Sequence, residues 1–285
     1  MAMHEKLLSF LEEDISGGDI TSEAVVPDVI ASAVIVAKET GIIAGLKEAK
    51  ILFEYFGLSV KIPVSDGSPV KQGDVVMEIL GKAAAILTVE RTALNIIGRM
   101  SGIATKTRKL SLAVSKQNPD VKIAGTRKTA PGLREFDKKA IILGGGDPHR
   151  YNLSDGYLIK DNHLMLCPLK EAIKKAREYT KYKKIEVEVE SVKDAMTAAD
   201  AGADIIMFDN MAPESISEAL EELKGMGVRD FLTVEVSGGI TEENILSYAG
   251  LGIDIISLGA LTHSVRNFDV SLDMKPGLQK VKINI

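Results

Sequence analysis

The chain is poor in several things, and each shortage narrows what it can be. Its 285 residues contain one cysteine, Cys167, which leaves no partner for an intrachain disulfide and no set of thiolates for a zinc site. A lone thiol suits a reducing compartment, and we expect a cytoplasmic protein. No apolar run approaches the roughly 18 residues of a membrane helix. The first residues, MAMHEKLLSFLEED, lack the long apolar core and small-residue cleavage site of a signal peptide. There is no excess of positive charge either. The formal net charge of −5 argues against a general nucleic-acid binder or a membrane-surface binder. No GxGxxG follows the first strand of the later parallel units, which weighs against a dinucleotide fold. What is present is an apolar fraction of 45 %, enough for a sizeable core, in a length suited to one large domain or two ordinary ones.

Against this acidic background one basic stretch stands out: TRKTAPGLREFDKKAIILGGGDPHRYNLSDGYLIKDNH, residues 126–163. Arg127 and Lys128 open it, His149 and Arg150 lie past its middle, and Lys160 comes near its close. Pro131-Gly132, Gly144-Gly145-Gly146 and Pro148 punctuate it, which predicts turns in place of continuous helix. Cationic side chains on turns between apolar segments point to an anion pocket.

In chain order, residues 4–13 carry Leu7, Leu8 and Leu11 at helical spacing. Strand character follows at Ala31–Ala37 and Gly57–Ile62, with a helix at Leu46–Tyr55 between them. Residues 65–81, SDGSPVKQGDVVMEILG, read as a compact β meander. Its rhythm is like that of lipoyl and biotinyl carriers, but no lysine there has the expected neighbours. Thr88–Lys116 is the longest predicted helix, with Leu94, Ile97, Met100 and Ile103 on an apolar face and Gly98 and Gly102 as weak points. Arg91 then falls in its first turn, where the helix dipole disfavours a cation.

From Val121 the texture changes to short apolar runs separated by helical text: Val121–Gly125, Tyr157–Ile159, Ile185–Val189, Ile205–Phe208, Phe231–Val236 and Ile253–Leu258. Helices are expected at Pro168–Tyr179, Val192–Ala201, Pro213–Met226 and Thr241–Leu251. Strand–helix alternation of this kind gives a mainly parallel sheet, either a (β/α) barrel or a doubly wound sheet. GADIIMFDN and GIDIISLGA resemble each other, as repeated barrel units would.

The chemistry gathers at the ends of these strands. Arg127 and Lys128 follow the first and Lys160 ends the second. Glu186, Glu188 and Glu190 alternate along the third, on one face because strand side chains have period two. Asp209 ends the fourth, Ser237, Gly238 and Gly239 follow the fifth, and Ser257 and Gly259 end the sixth. In barrels the carboxyl ends of the strands carry the active site. Arg and Lys bind carboxylates and phosphates, and the glycine turns offer backbone N–H groups to a phosphate. The acids hold a cation, bind sugar hydroxyls, or face a cationic transition state. A substrate with several anionic groups and a sugar-like portion fits this inventory.

These residues carry a family resemblance. TSEAVVP, ERTALN, TRKTAPGLR, GGGDPHR, DGYLIKDNH, EVEVE, IIMFDN, VEVSGGIT and SLGALTHS followed by LDMKP resemble the quinolinate phosphoribosyltransferases over nearly the full length. The resemblance implies an α/β fold with an N-terminal α/β sandwich, residues 1–103 completed by 268–285, and an incomplete, roughly seven-stranded (β/α) barrel over 104–267. It implies transfer of a phosphoribosyl group from phosphoribosyl pyrophosphate to quinolinate with loss of carbon dioxide, and magnesium as cofactor. It implies a homodimer, or a higher oligomer built on it, in which Arg91 reaches the neighbour's site. Matched position by position, Arg91, Arg127, His149, Arg150 and Lys160 bind quinolinate, and Lys128 sits beside it and the pyrophosphate. Glu188 and Asp209 lie near the ribose and the metal. Ser237, Gly238, Gly259 and His263 cradle the 5′-phosphate, and Gly239 and Ser257 are counted with them as substrate-binding. Glu188 is chosen over Glu186 and Glu190 by its spacing to Asp209. His163 reads as a structural hydrogen-bonder and Cys167 as a thiol without a role. Three rival readings are a Schiff-base aldolase on Lys160, a relative acting on another acid, and a carrier built on the 65–81 segment.

Overall fold

The computed structural model describes residues 3–275. Their contacts divide into two compact units: 3–108 with 130–145 and 264–275, and 109–129 with 146–263.

In the first unit the strands are β1 (Ile30–Ala37), β2 (Gly41–Ile42), β3 (Ser59–Lys61), β4 (Pro69–Val70) and β5 (Val75–Lys82). β1 and β5 are antiparallel, β3 pairs with β5, and the strand Val270–Lys275 pairs with the other edge of β1. The returning C-terminal segment therefore completes this sheet; its expected continuation over 276–285 lies outside the described residues. The helix Leu46–Tyr55 packs on β3 and β5, and the helix Met3–Ile15 packs on that helix. Leu46, Ala49, Leu52 and Phe53 are the buried stripe, spaced as a helix facing a sheet requires. Gly45 has no side chain to cap this helix, and Asp66 does it from a turn, accepting from Leu46 N at 2.9 Å.

Three expectations need correction here. The segment 65–81 is not a meander, because β4 pairs with β2 while β5 belongs to the four-stranded sheet. That also removes the hairpin on which a carrier reading rests. The long helix is Ala83–Ser115. It begins directly from β5 with no intervening turn, so Arg91 stands in its third turn and the dipole argument does not apply. Finally, Arg134–Leu143 is a helix inside the stretch expected to be all turns. It belongs to the first unit, where Asp137 is fully buried on Arg99 (2.8 and 2.9 Å) and Lys139 pairs with Glu48 at 2.5 Å.

Gly98 and Gly102 are not weak points but a groove. A Cβ on Gly102 would lie 2.1 Å from the Arg266 carbonyl oxygen, and Phe268 N donates to the Gly98 carbonyl at 2.8 Å. Only glycine admits a second backbone so close.

The second unit holds β6 (Lys122–Ala124), β7 (Tyr157–Ile159), β8 (Ile185–Val189), β9 (Ile205–Asp209), β10 (Thr233–Ser237) and β11 (Ile255–Ser257), all parallel where paired. Their order is β6-β11-β10-β9-β8-β7. Consecutive strands are neighbours and the first lies beside the last, so the chain winds in one direction. That is barrel winding, opened between β6 and β7; a doubly wound sheet would reverse direction partway. Asp147 makes a single parallel bridge to Ala124 in β6. The expected strand at 231–236 starts later, after a 3₁₀ turn at Arg229–Phe231, and the expected helix 241–251 is the short Ile245–Ala249.

Candidate functional site

Period-two geometry builds the site. Along β8, Glu186 and Glu188 face inward while Val187 and Val189 go to the buried outer layer. The register sets Met207 of β9 opposite Glu235 of β10, and Asp209 opposite Ser237. These side chains meet others from the loops beyond the strand tips. Arg127, Lys128, His149, Arg150, Lys160, Glu188, Asp209, Ser237 and Ser257 line one cavity of about 420 Å³, with Glu235 in its wall.

The individual side chains are held closely. Lys160 Nζ donates to Glu188 Oε2. His163, as expected, is structural: its Nδ1 accepts from Lys160 N at 3.0 Å and fixes the backbone that carries the lysine. Lys160 is thus engaged by a carboxylate and does not sit in the apolar pocket that a Schiff-base amine uses. Asp209 Oδ2 accepts from Asn210 Nδ2 at 2.6 Å. Asn210 has φ +54° and Gly238 φ +79°. A Cβ on Gly238 would lie 2.7 Å from Asp209 Oδ1 and 2.5 Å from Asn210 Oδ1, so a glycine is required there. Gly239 follows with φ +62°. Gly259 plays a similar part: its missing Cβ leaves room for Lys128 Cδ and His263 Cδ2, each 2.9 Å from where that atom would be. Thr262 Oγ1 donates to the Lys128 carbonyl at 2.9 Å, tying the last loop to the first.

His149 sits at φ +55°, a conformation uncommon for a non-glycine residue and held here by context. Its N–H donates to Asp147 Oδ1 at 2.6 Å. Its ring Nε2 lies 3.1 Å from Glu235 Oε2 and 3.7 Å from Glu186 Oε1. Burial works against charge on the ring, but the hydrogen bonds and charges of Glu186 and Glu235 outweigh it and push its pKa up to about 10. Burial also raises the Glu186 carboxyl, with Glu235 adding to the rise and His149 opposing it. The two rises compete for one proton. The ring, with two carboxylates on one nitrogen, holds it. Burial and the neighbouring Arg127 lower Arg150 from its ordinary value, against Glu186, Asp155 and Glu235; an arginine stays charged nonetheless.

Some polar atoms here have no partner. Arg127 Nε, Ser257 Oγ, Glu186 Oε1 and Glu235 Oε1 are buried without a hydrogen bond. Protein interiors seldom leave such groups unmatched. Arg127, Glu235 and Ser257 line the cavity, so a ligand there can complete them.

Among the sequence-predicted residues, Gly238, Gly239, Gly259 and His263 stand beside the lining and shape it. Glu190 lies past the end of β8 and is exposed. Arg91 stands on the Ala83–Ser115 helix in the first unit, exposed, beside Asp14, Asp19 and Thr88. A larger cavity of about 640 Å³ lies in that unit, but its Arg99 is spent on Asp137, so it lacks a free cation for an anionic guest. Sequence reasoning missed Glu235. The available signal was a glutamate two residues before Ser237, on the same strand face and inside an apolar run.

The chain is similar to known proteins over most of its length. Residues 19–101 match the family model of the quinolinate phosphoribosyl transferase N-terminal domain, and residues 103–273 that of its C-terminal domain. The chain is 48 % identical over 256 residues to a protein of Archaeoglobus fulgidus named "Probable nicotinate-nucleotide pyrophosphorylase [carboxylating]", covering 90 % of this chain and 97 % of that one. It is 36 % identical to the rat nicotinate-nucleotide pyrophosphorylase (carboxylating), over 93 % of this chain and 89 % of the rat protein. The solved structure of the nicotinate-nucleotide pyrophosphorylase from Francisella tularensis superposes with a TM-score of 0.90 at 35 % identity, covering 96 % of each chain.

Proposed function

The chain belongs to the quinolinate phosphoribosyltransferase family, and we propose that the cavity at the carboxyl ends of β6–β11 is where its reaction takes place. The enzyme converts quinolinate and phosphoribosyl pyrophosphate to nicotinate mononucleotide, pyrophosphate and carbon dioxide, a step of NAD biosynthesis. The observation that carries the reading is the set of cations around one cavity, with Arg127 Nε and Ser257 Oγ buried and unmatched.

Arg127, His149, Arg150 and Lys160 match the two carboxylates of quinolinate in charge and orient the ring nitrogen toward the sugar. Lys128 serves the pyrophosphate. The turns at Ser237-Gly238-Gly239 and Gly259, with His263 and Ser257, take the 5′-phosphate through backbone N–H groups. As pyrophosphate departs, positive charge grows on the ribose ring, and the carboxylates of Glu188 and Asp209 stabilise it. The ring nitrogen, once bonded to the sugar, is cationic. Its positive charge stabilises the electron pair that stays on the neighbouring carbon when carbon dioxide leaves, and that pair then takes up a proton. Little acid–base machinery is required.

Glu188 and Asp209 also suit magnesium. Each has one carboxylate oxygen engaged, with Lys160 and with Asn210, and hard oxygen donors of this kind share the ion with substrate phosphates. Magnesium so held would neutralise the leaving pyrophosphate. Chelation should stop turnover and added magnesium restore it.

Arg91 acts on a second copy of the chain, in a homodimer whose sites are shared. Mixing Arg91→Ala with Lys160→Ala protein, each strongly impaired alone, should restore part of the activity; failure to do so would remove Arg91 from the partner's site. A cytoplasmic setting is supported by the single thiol; no helix among the described residues is long and apolar enough to cross a membrane. The site itself is tested by carbon dioxide release from quinolinate, which must require phosphoribosyl pyrophosphate.

A further inference from the structure

The mechanism above leaves Glu235 without a task, yet it is the most deeply buried acid of the second unit. Its side chain is 1 % exposed and that of Glu186 is 5 % exposed. A carboxylate in the middle of a barrel strand is costly unless something charged repays its desolvation. What faces it is the His149 ring, with Nε2 at 3.1 Å; Glu186 of β8 approaches the same nitrogen at 3.7 Å. His149 is thus fixed at both ends, by Asp147 on its backbone N–H and by Glu235 on its ring. With Nε2 committed downward, Nδ1 is the nitrogen left for a guest in the cavity that His149 lines beside Arg127 and Arg150.

We propose that Glu235, seconded by Glu186, is a positioning residue for quinolinate recognition: by accepting from Nε2 it sets the His149 ring and keeps Nδ1 a hydrogen-bond donor toward a substrate carboxylate. This rests on the cavity being the quinolinate site. A neutral ring donating from Nε2 would present Nδ1 as a lone pair and repel the carboxylate. The imidazolium presents a donor on both sides. The groups around it are consistent with this form: Glu186 from β8, Glu235 from β10 and, further off, Arg150 balancing the second carboxylate. The three donor atoms of His149, Glu186 and Glu235 lie within 4.8 Å of one another. A divalent ion would need the ring without its Nε2 proton, which the two carboxylates oppose.

The test is Glu235→Gln, which keeps the shape and removes the charge. In protein labelled with ¹⁵N-histidine at pH 8, with the His149 signal assigned by its loss in His149→Asn, the unsubstituted chain should show both ring nitrogens protonated. Glu235→Gln should shift that ring to the neutral form. It should raise KM for quinolinate at least about tenfold, as loss of a charged hydrogen-bond partner entails, and leave KM for phosphoribosyl pyrophosphate unchanged. Adding Glu235→Gln to His149→Asn should cost nothing further. A ring signal indifferent to Glu235, equal rises in both KM values, or zinc displacing the Nε2 proton in the unsubstituted protein would overturn the proposal. Lack of quinolinate turnover in the unsubstituted protein would instead sink the reading of the site, while the ring signal still reports on the Glu235 contact.

Discussion

The two rims of the barrel strands use the same residue types to opposite ends. At the amino rim, Arg177 donates to Asp204 at 2.7 Å and to the Gly202 carbonyl at 2.8 Å, and Asp204 also accepts from Ile185 N at 2.7 Å. One repeat later, Arg229 donates to Asp254 at 3.1 Å and to the Gly252 carbonyl at 2.7 Å, and Asp254 accepts from Val234 N at 2.7 Å. The likeness of GADII and GIDII is this clasp, made twice. It staples each strand to the one before it. At the carboxyl rim the ion pairs leave atoms over: Arg127 Nε, Ser257 Oγ and Glu235 Oε1 have no hydrogen bond, and Glu186 Oε1 has only the His149 ring at 3.7 Å. The clasps at the amino rim satisfy their own groups, while the carboxyl rim leaves polar atoms over beside a cavity. That division is the one expected of barrel enzymes, with stability at the amino face and chemistry at the carboxyl face.

The comparison can be broken from either side. The largest effect should come from the carboxyl rim. Arg127→Ala or Lys160→Ala should lower kcat/KM by a factor on the order of 10² to 10⁴, with the melting temperature within a few degrees of the parent's. Carbon dioxide release and thermal melting measure the two quantities on the same sample. A large drop in melting temperature would show that this rim, too, holds the fold. Asp209→Asn should follow, with a loss of about 10²-fold in kcat and a small change in KM, as expected for a group that acts on developing charge.

The amino rim should behave in reverse. Asp204→Ala or Asp254→Ala should cost about 1–3 kcal/mol of stability, because a strand N–H and an arginine lose their acceptor together. Steady-state constants should not move; a change in KM for either substrate would join the two rims functionally. The smallest effect concerns pH. The folded pKa of His149, about 10, lies above the ordinary 6.5 of an unfolded chain. Its contribution to stability is therefore complete below about 6.5 and lost as pH rises toward 10. Denaturant titrations should show the parent's advantage over His149→Asn shrinking across that window. An advantage that grows with pH would mean the ring is neutral in the fold.

Much of this was legible in the residues because strand tips announce themselves. A short apolar run that ends in Lys160, Asp209 or Ser237 fixes which residue faces the cavity, since the period is two. Barrel against doubly wound sheet was not legible, because winding direction depends on which strands pair, and the runs at 121–125 and 253–258 carry no mark of being neighbours. The start of the long helix was hidden for a local reason. β5 passes into Ala83 with no proline or capping residue between them, and Gly81 lies inside the strand and not at a break. The helix Arg134–Leu143 was masked by its flanks, although Phe136, Ala140 and Ile141 are spaced as a buried stripe. Glu235 went unread because one acid in an apolar strand has no partner visible in sequence; His149 lies 86 residues away.

The central claim is that the cations at the strand tips surround a single guest. Single-turnover release of labelled carbon dioxide from carboxyl-labelled quinolinate, in the parent and in folded Lys160→Ala protein, tests it most directly. We predict release in the parent only when phosphoribosyl pyrophosphate is present, and release from the variant slowed by at least about 10²-fold. Release that is independent of phosphoribosyl pyrophosphate, or that keeps the parent's rate without Lys160, would contradict the account.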